Sequence, residues 1–147
     1  MSEEINNKPS TAYWITAGVL LVWNLIGLMF YYQQSTLTPE IMMEAGLTPQ
    51  QIAHIVNTPA WGHSGYAIAV NAGVLGAILL LLRKAWAVPL FVLSLVGALV
   101  QDHDAFILRD ALEAWGSGGI ILPALVIAIC GFEIWYSRAA KTKGWLT

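Results

Sequence analysis

Cysteine is all but missing from this chain. Cys130 stands alone among 147 residues, so no intrachain disulfide can form and no CxxC-type metal motif exists. Inside a long apolar run, such a residue ordinarily serves as a small buried hydrophobe. Charge is scarce as well: Asp, Glu, Lys and Arg make up 11% of the sequence, against 57% hydrophobic residues. A water-soluble domain of this size could bury a core, but it could not hide four long uninterrupted apolar runs. The signatures of soluble catalysis are also absent, with no GxSxG elbow, Walker loop, GxGxxG or HExxH. The start of the chain has no basic segment, and no small-residue cleavage site follows the first apolar run, which therefore reads as a retained span. The basic residues near the end, Arg138, Lys141 and Lys143, lack aromatic platforms. They argue against a nucleic-acid partner and suit an anionic lipid leaflet.

What the chain has in abundance is hydrophobic sequence of lipid length, at a mean hydropathy of +0.63. The organising stretch is 61–108, where two apolar runs meet at Arg83 and Lys84. Only a helical hairpin satisfies the backbone polar groups of such a pair inside a bilayer. Extending the argument along the chain predicts a single all-α domain with four transmembrane helices, at about 12–33, 60–82, 86–107 and 118–137. Trp14, Tyr31 and Tyr32 bracket the first span, and Trp135 and Tyr136 end the last, as expected at headgroup interfaces. Between the first two spans, residues 38–57 turn polar. Thr38-Pro39 and Thr48-Pro49 each place a capping threonine before a first-turn proline, and Gln51 completes a capping box. Two short helices are predicted there, closed in the first case by Gly46, forming an extracytoplasmic cap too short to cross. In the second span Gly65, Ala69, Gly73 and Ala77 recur every four residues, a smooth face for close packing. In the third, Ser94, Gly97, Gln101 and Asp104 share a side that must face protein or water.

An even number of spans puts both termini on one side. That side would hold Lys8, Arg83, Lys84, Arg138, Lys141 and Lys143, leaving only Arg109 opposite, so the termini are expected in the cytoplasm. The other side gathers the remaining acids of the loops together with His54, His63 and His103.

Three constellations could carry function. The first is His63, Asp102, His103 and Asp104 at the outer end of the central hairpin, with His54 within reach from the loop. His63 and His103 each lie twenty residues from Arg83, so antiparallel helices bring them to similar depth. This set could hold a divalent metal, a haem b between the two imidazoles, or a small ligand at a polar mouth. Alternatively, these groups simply end a helix at the water line, with Asp102 or Asp104 pairing with Arg109. The second constellation is Asn24, Asn71 and Gln101, with Asp104 beside them: either amide glue worth about 0.6 kcal/mol per contact or a ligand site within the bundle. Asn24 needs a partner, and Gly27 one turn away would let a helix approach. The third is Glu133, expected to reach toward Arg83, Lys84 or another basic residue at the inner interface. Its other reading is a proton-relay carboxylate.

The segments Pro9-Ser10-Thr11-Ala12-Tyr13-Trp14, Val22-Trp23-Asn24-Leu25-Ile26-Gly27, Leu82-Arg83-Lys84-Ala85-Trp86-Ala87-Val88-Pro89 and Trp135-Tyr136-Ser137-Arg138 add a resemblance. Together they resemble a group of bacterial four-span inner-membrane proteins of about this length, commonly labelled sugar transporters. The resemblance implies the fold and a Gram-negative inner membrane, and it carries no catalytic residues. The expectation is a non-enzymatic integral protein of the inner membrane that binds or passes a small solute, or serves as a small subunit of a larger complex. Its partners would be the lipid bilayer and either further copies of itself or other membrane subunits. The alternative is a metal- or haem-binding redox component using His63 and His103.

Overall fold

The computed structural model describes residues 8–147 and is helical throughout, with no strand among them. Four helices are long and apolar enough to cross a membrane, so the protein is an all-α integral membrane protein. The first, α1, spans Thr11–Thr36 and starts where the Ser10 hydroxyl accepts a hydrogen bond from the Tyr13 N–H. Two short helices follow: α2 (Pro39–Glu44) and α3 (Pro49–Val56). The predicted capping box is present, the Thr48 hydroxyl accepting from Gln51 N at 3.2 Å and the Gln51 side chain from Thr48 N at 3.0 Å. The second span, α4, covers Ala60–Leu81. The third, α5 (Ala87–Asp102), runs into a π-helical turn over His103–Leu108. A short α6 (Ala111–Trp115) and a 3₁₀ turn lead into the last span, α7 (Ile121–Thr142).

Two boundaries move from the sequence expectation. The first span, expected to end at about 33, continues to Thr36. The last runs past its aromatic pair to Thr142, so Arg138 and Lys141 lie on the helix rather than in a tail. Neither extension meets a proline or glycine that would stop it, and lipid-length hydropathy marks only the apolar part of a helix.

Helix α4 is the centre, with half of its most apolar window buried, against 11% for α7. It packs between α1 and α5, and α5 in turn meets α7. The small-residue face explains the intimacy of the central pair. A Cβ on Gly97 would lie 2.6 Å from the Gly65 carbonyl oxygen, so the two backbones touch where side chains would otherwise hold them apart. The chain end folds back onto the α4–α5 turn, Thr147 N–H donating to Arg83 O and Ala85 N–H to Thr147 O. The end of the bundle bearing this turn is called the basic end below, and the opposite one the cap end.

Candidate functional site

At the cap end the spans splay around a cavity of about 350 Å³, bounded by the ends of α1, α4 and α5, the start of α7, and α3 and α6 above. Its polar lining includes Gln34, His54, His63, Gln101, Asp102 and Arg109, and its aromatic lining is Tyr66, Phe106 and Trp115. Gln101 and Asp102 close the apolar run of α5, and His63 enters α4 a turn before Tyr66, whose ring packs on Tyr31 at 4.9 Å. Cavities of this size, apolar with a few convergent polar groups, are the usual form of a small-molecule site.

A polar staple holds the cap over it. Arg109 donates from Nε to Asp104 Oδ2 at 2.9 Å and from Nη1 to the carbonyl of His54, tying α3 to the end of the third span. Asp104 is 1% exposed and lies against Gly62 of α4, where a Cβ would meet its Oδ2 at 2.8 Å. The His54 ring nitrogen Nε2 lies 3.3 Å from Ala105 O. Burial holds the His54 imidazole below its ordinary value of 6.5; the contact with Ala105 O and nearby Asp104 oppose that shift, while Arg109 adds to it.

Deeper, about 16 Å along α1 from Tyr13, a second polar group sits where all four spans meet. Asn24 of α1 donates from Nδ2 to Glu133 Oε1 of α7 at 3.2 Å. Its own Oδ1 lies over Gly73 of α4, where any Cβ would be only 2.2 Å away. From α5, Ser94 donates to Ala69 O at 2.6 Å, with Cys130 of α7 beside its hydroxyl. Glu133 is 1% exposed, and its Oε2 has no hydrogen-bond partner.

The candidates named from sequence thus separate into several places. His54, His63, Gln101 and Asp102 line the cavity. Asp104 serves the staple, which settles which aspartate pairs with Arg109. His103 is exposed and does not line the cavity that holds His63, because consecutive residues 102–104 fan out around the helix end. Among the described residues, no group of three or more His, Cys, Asp or Glu is placed to hold a metal ion. Asn71 faces outward and bonds only its own helix at Ala67 O, whereas Asn24 faces inward. The expectation for Glu133 is overturned: it points into the bundle, not toward the basic interface. The room for Asn24 comes from Gly73 rather than Gly27, which meets only Val70 at ordinary contact.

Sequence reasoning missed the aromatic lining of the cavity, since Tyr66, Phe106 and Trp115 come from three separate elements. A signal for Glu133 did exist. Cys130, Glu133, Ser137 and Ala140 recur at helical spacing, and all four are buried, so the carboxylate lies on the small-residue face of α7. No protein-family model, curated protein or solved structure matches the chain.

Proposed function

We propose that the protein resides in a bacterial inner membrane with both termini in the cytoplasm, and that it binds a small uncharged polar solute of the sugar or polyol class at the cap end. The observation that carries this reading is the cavity itself. Amide, imidazole and carboxylate groups from Gln101, His63 and Asp102 line it together with the rings of Tyr66, Phe106 and Trp115. A polyhydroxylated solute has hydroxyls for the polar groups and a C–H face for the rings. The orientation rests on the six basic residues that share one end with the termini, and it sets the cap and cavity on the periplasmic side.

The test is equilibrium binding of a panel of monosaccharides and polyols to protein in nanodiscs. Tryptophan emission, to which Trp115 at the cavity contributes, and calorimetry supply two independent readouts. At least one compound of the panel should saturate both, and Gln101→Ala should weaken its binding by about tenfold, the loss expected for one polar contact. No saturable binding by any member would sink the reading.

A second copy of the chain is the proposed partner. Along α4, Trp61, Ser64, Ile68, Asn71, Leu75 and Ile78 follow one another at alternating spacings of three and four, and all six are exposed. That is the seam of a left-handed helix pair. It places the Asn71 amide near the middle of the span, where lipid offers no partner but the same amide of a second copy does. Two-fold packing along this seam predicts a dimer in nanodiscs, lost in Asn71→Leu; a monomeric wild-type protein would contradict it.

A further inference from the structure

The middle of the bundle contains a group that solute binding at the cap end does not use. Glu133 is all but inaccessible at 1% exposure, accepts one hydrogen bond from Asn24, and leaves Oε2 without any partner. Its surroundings can be named helix by helix. From α1 comes the neutral Asn24 amide, and from α4 the bare backbone of Gly73. From α5 comes the Ser94 hydroxyl, with Asp102 about 12 Å farther along the same helix at the cavity wall. On α7 itself, Cys130 lies one turn before Glu133 and Ser137 one turn after it, and Ser137 is occupied with Ile134 O. None of these groups is a cation.

An ionised carboxylate at this depth would be a buried charge compensated by a single amide, which is the costliest arrangement a bilayer protein can hold. One proton removes the charge and keeps the bond from Asn24, because the neutral acid still presents an acceptor oxygen. The position of the pair gives that proton a mechanical consequence. Helices α1 and α7 make no extensive backbone contact with each other. They are joined at mid-depth by Asn24–Glu133 and at the basic end by the stack of Tyr13 on Tyr136, 6.2 Å between centroids.

We propose that Glu133 is a proton-binding site in the centre of the bundle, and that with Asn24 it forms a clasp which holds α1 to α7 when protonated and opens toward water when the proton leaves. The reaction is a simple dissociation: the O–H bond of the acid breaks, the proton passes to water, and both electrons remain on the carboxylate. Opening is what supplies that water. The site stands on the geometry of the bundle's middle and is independent of what fills the cavity.

Two measurements on the full chain in liposomes test it. Glu133 is the one glutamate within the four spans, the rest lying in the loops and at the N-terminus. In protein carrying carbon-13 at its glutamate carboxyls, one resonance should keep the position of the neutral acid at neutral pH. The absence of any neutral-acid resonance at that pH would overturn the proposal, and this experiment needs no variant.

The second uses Cys130 as a native reporter, alkylated by a maleimide from about pH 6 to about pH 9. In Glu133→Gln, which stays neutral and retains an acceptor for Asn24, the rate should rise with the thiolate fraction alone. In the wild type it should rise more steeply, because opening adds its own proton dependence. Equal or shallower wild-type slopes would show that the clasp does not open and would overturn that half of the proposal. If Glu133→Gln does not assemble, the opening half is judged on Asn24→Ala, which removes the clasp and should expose Cys130 at every pH; protection unchanged from wild type would overturn it.

Discussion

At the basic end, Tyr13 is fully buried among Trp145, Tyr136 and Leu80, its hydroxyl donates to Leu80 O, and the chain terminus is hydrogen-bonded onto the α4–α5 turn. At the cap end the comparable closure is made by one guanidinium bridging Asp104 and the His54 carbonyl, with a cavity of about 350 Å³ beneath it. The first end is held by area and many contacts, the second by a few directional bonds. Dispersion and burial are lost gradually, whereas a polar staple is either made or not. The cap end is therefore the part of the molecule that can open while the bundle stays assembled, which suits the solute site proposed there.

The sharpest way to break this contrast is Tyr13→Ala. Removing the aromatic anchor of the basic end should cost about 4 kcal/mol in reversible unfolding from mixed micelles. The cavity, at the far end of the spans, should keep its solute affinity in whatever fraction remains folded. Next in size is Arg109→Gln, which leaves Asp104 buried without its partner and should cost about 3 kcal/mol. Here the loss should be local. Hydrogen exchange should rise across α3 and α6 while the amides near Tyr13 keep their protection, and uniform loss would show that the two ends are not independent.

A smaller effect follows from His54. Its imidazole is held below the ordinary value of 6.5, first by burial, so the undocked cap binds protons more readily than the docked one. Docking is then at full strength above that ordinary value and is lost as pH falls through the lower, folded one. Exchange in α3 should accelerate on acidification in the wild type and not in His54→Gln, and a pH-independent α3 would refute the linkage. The smallest stability change is expected for Asn71→Leu. Asn71 is exposed and bonds only its own helix, so the isolated subunit should shift by less than about 0.6 kcal/mol even as self-association is lost.

Much of this architecture is written in the order of the residues. The helix starts at Ser10, Thr38 and Thr48 follow from side chains that satisfy N–H groups within one turn, a local matter that needs no knowledge of the rest of the chain. The small-residue face of α4 was legible for the same reason, since Gly65, Ala69 and Gly73 lie on one side of any helix they belong to. The site was legible in part. His63, Gln101 and Asp102 could be placed at one end of the hairpin by counting from Arg83, and all three meet in the cavity. Phe106 and Trp115 could not be placed around the same cavity, because that needs the packing of α6 against α3 and the end of the third span. Glu133 shows the limit most clearly. Its depth was fixed by its place in the last apolar run, but that depth allows either a reach toward the basic end or an inward turn. The choice was made by the rotation of α7 that buries Cys130, Ser137 and Ala140 with it.

By itself, then, the sequence determined that the chain carries four helices long and apolar enough to cross a membrane, where α1, α2 and α3 begin, and which face of α4 can be approached closely. These are properties of hydrophobic length, capping chemistry and side-chain size, all set within a turn or a span. The tertiary structure alone decided that Asn24 meets Glu133, that Asp104 rather than Asp102 takes Arg109, and that three rings join the polar groups lining one cavity at the cap end. Those pairings depend on how each helix is rotated about its axis against the others. That rotation is fixed by the sum of many weak contacts between residues far apart in the chain, and no local pattern encodes it.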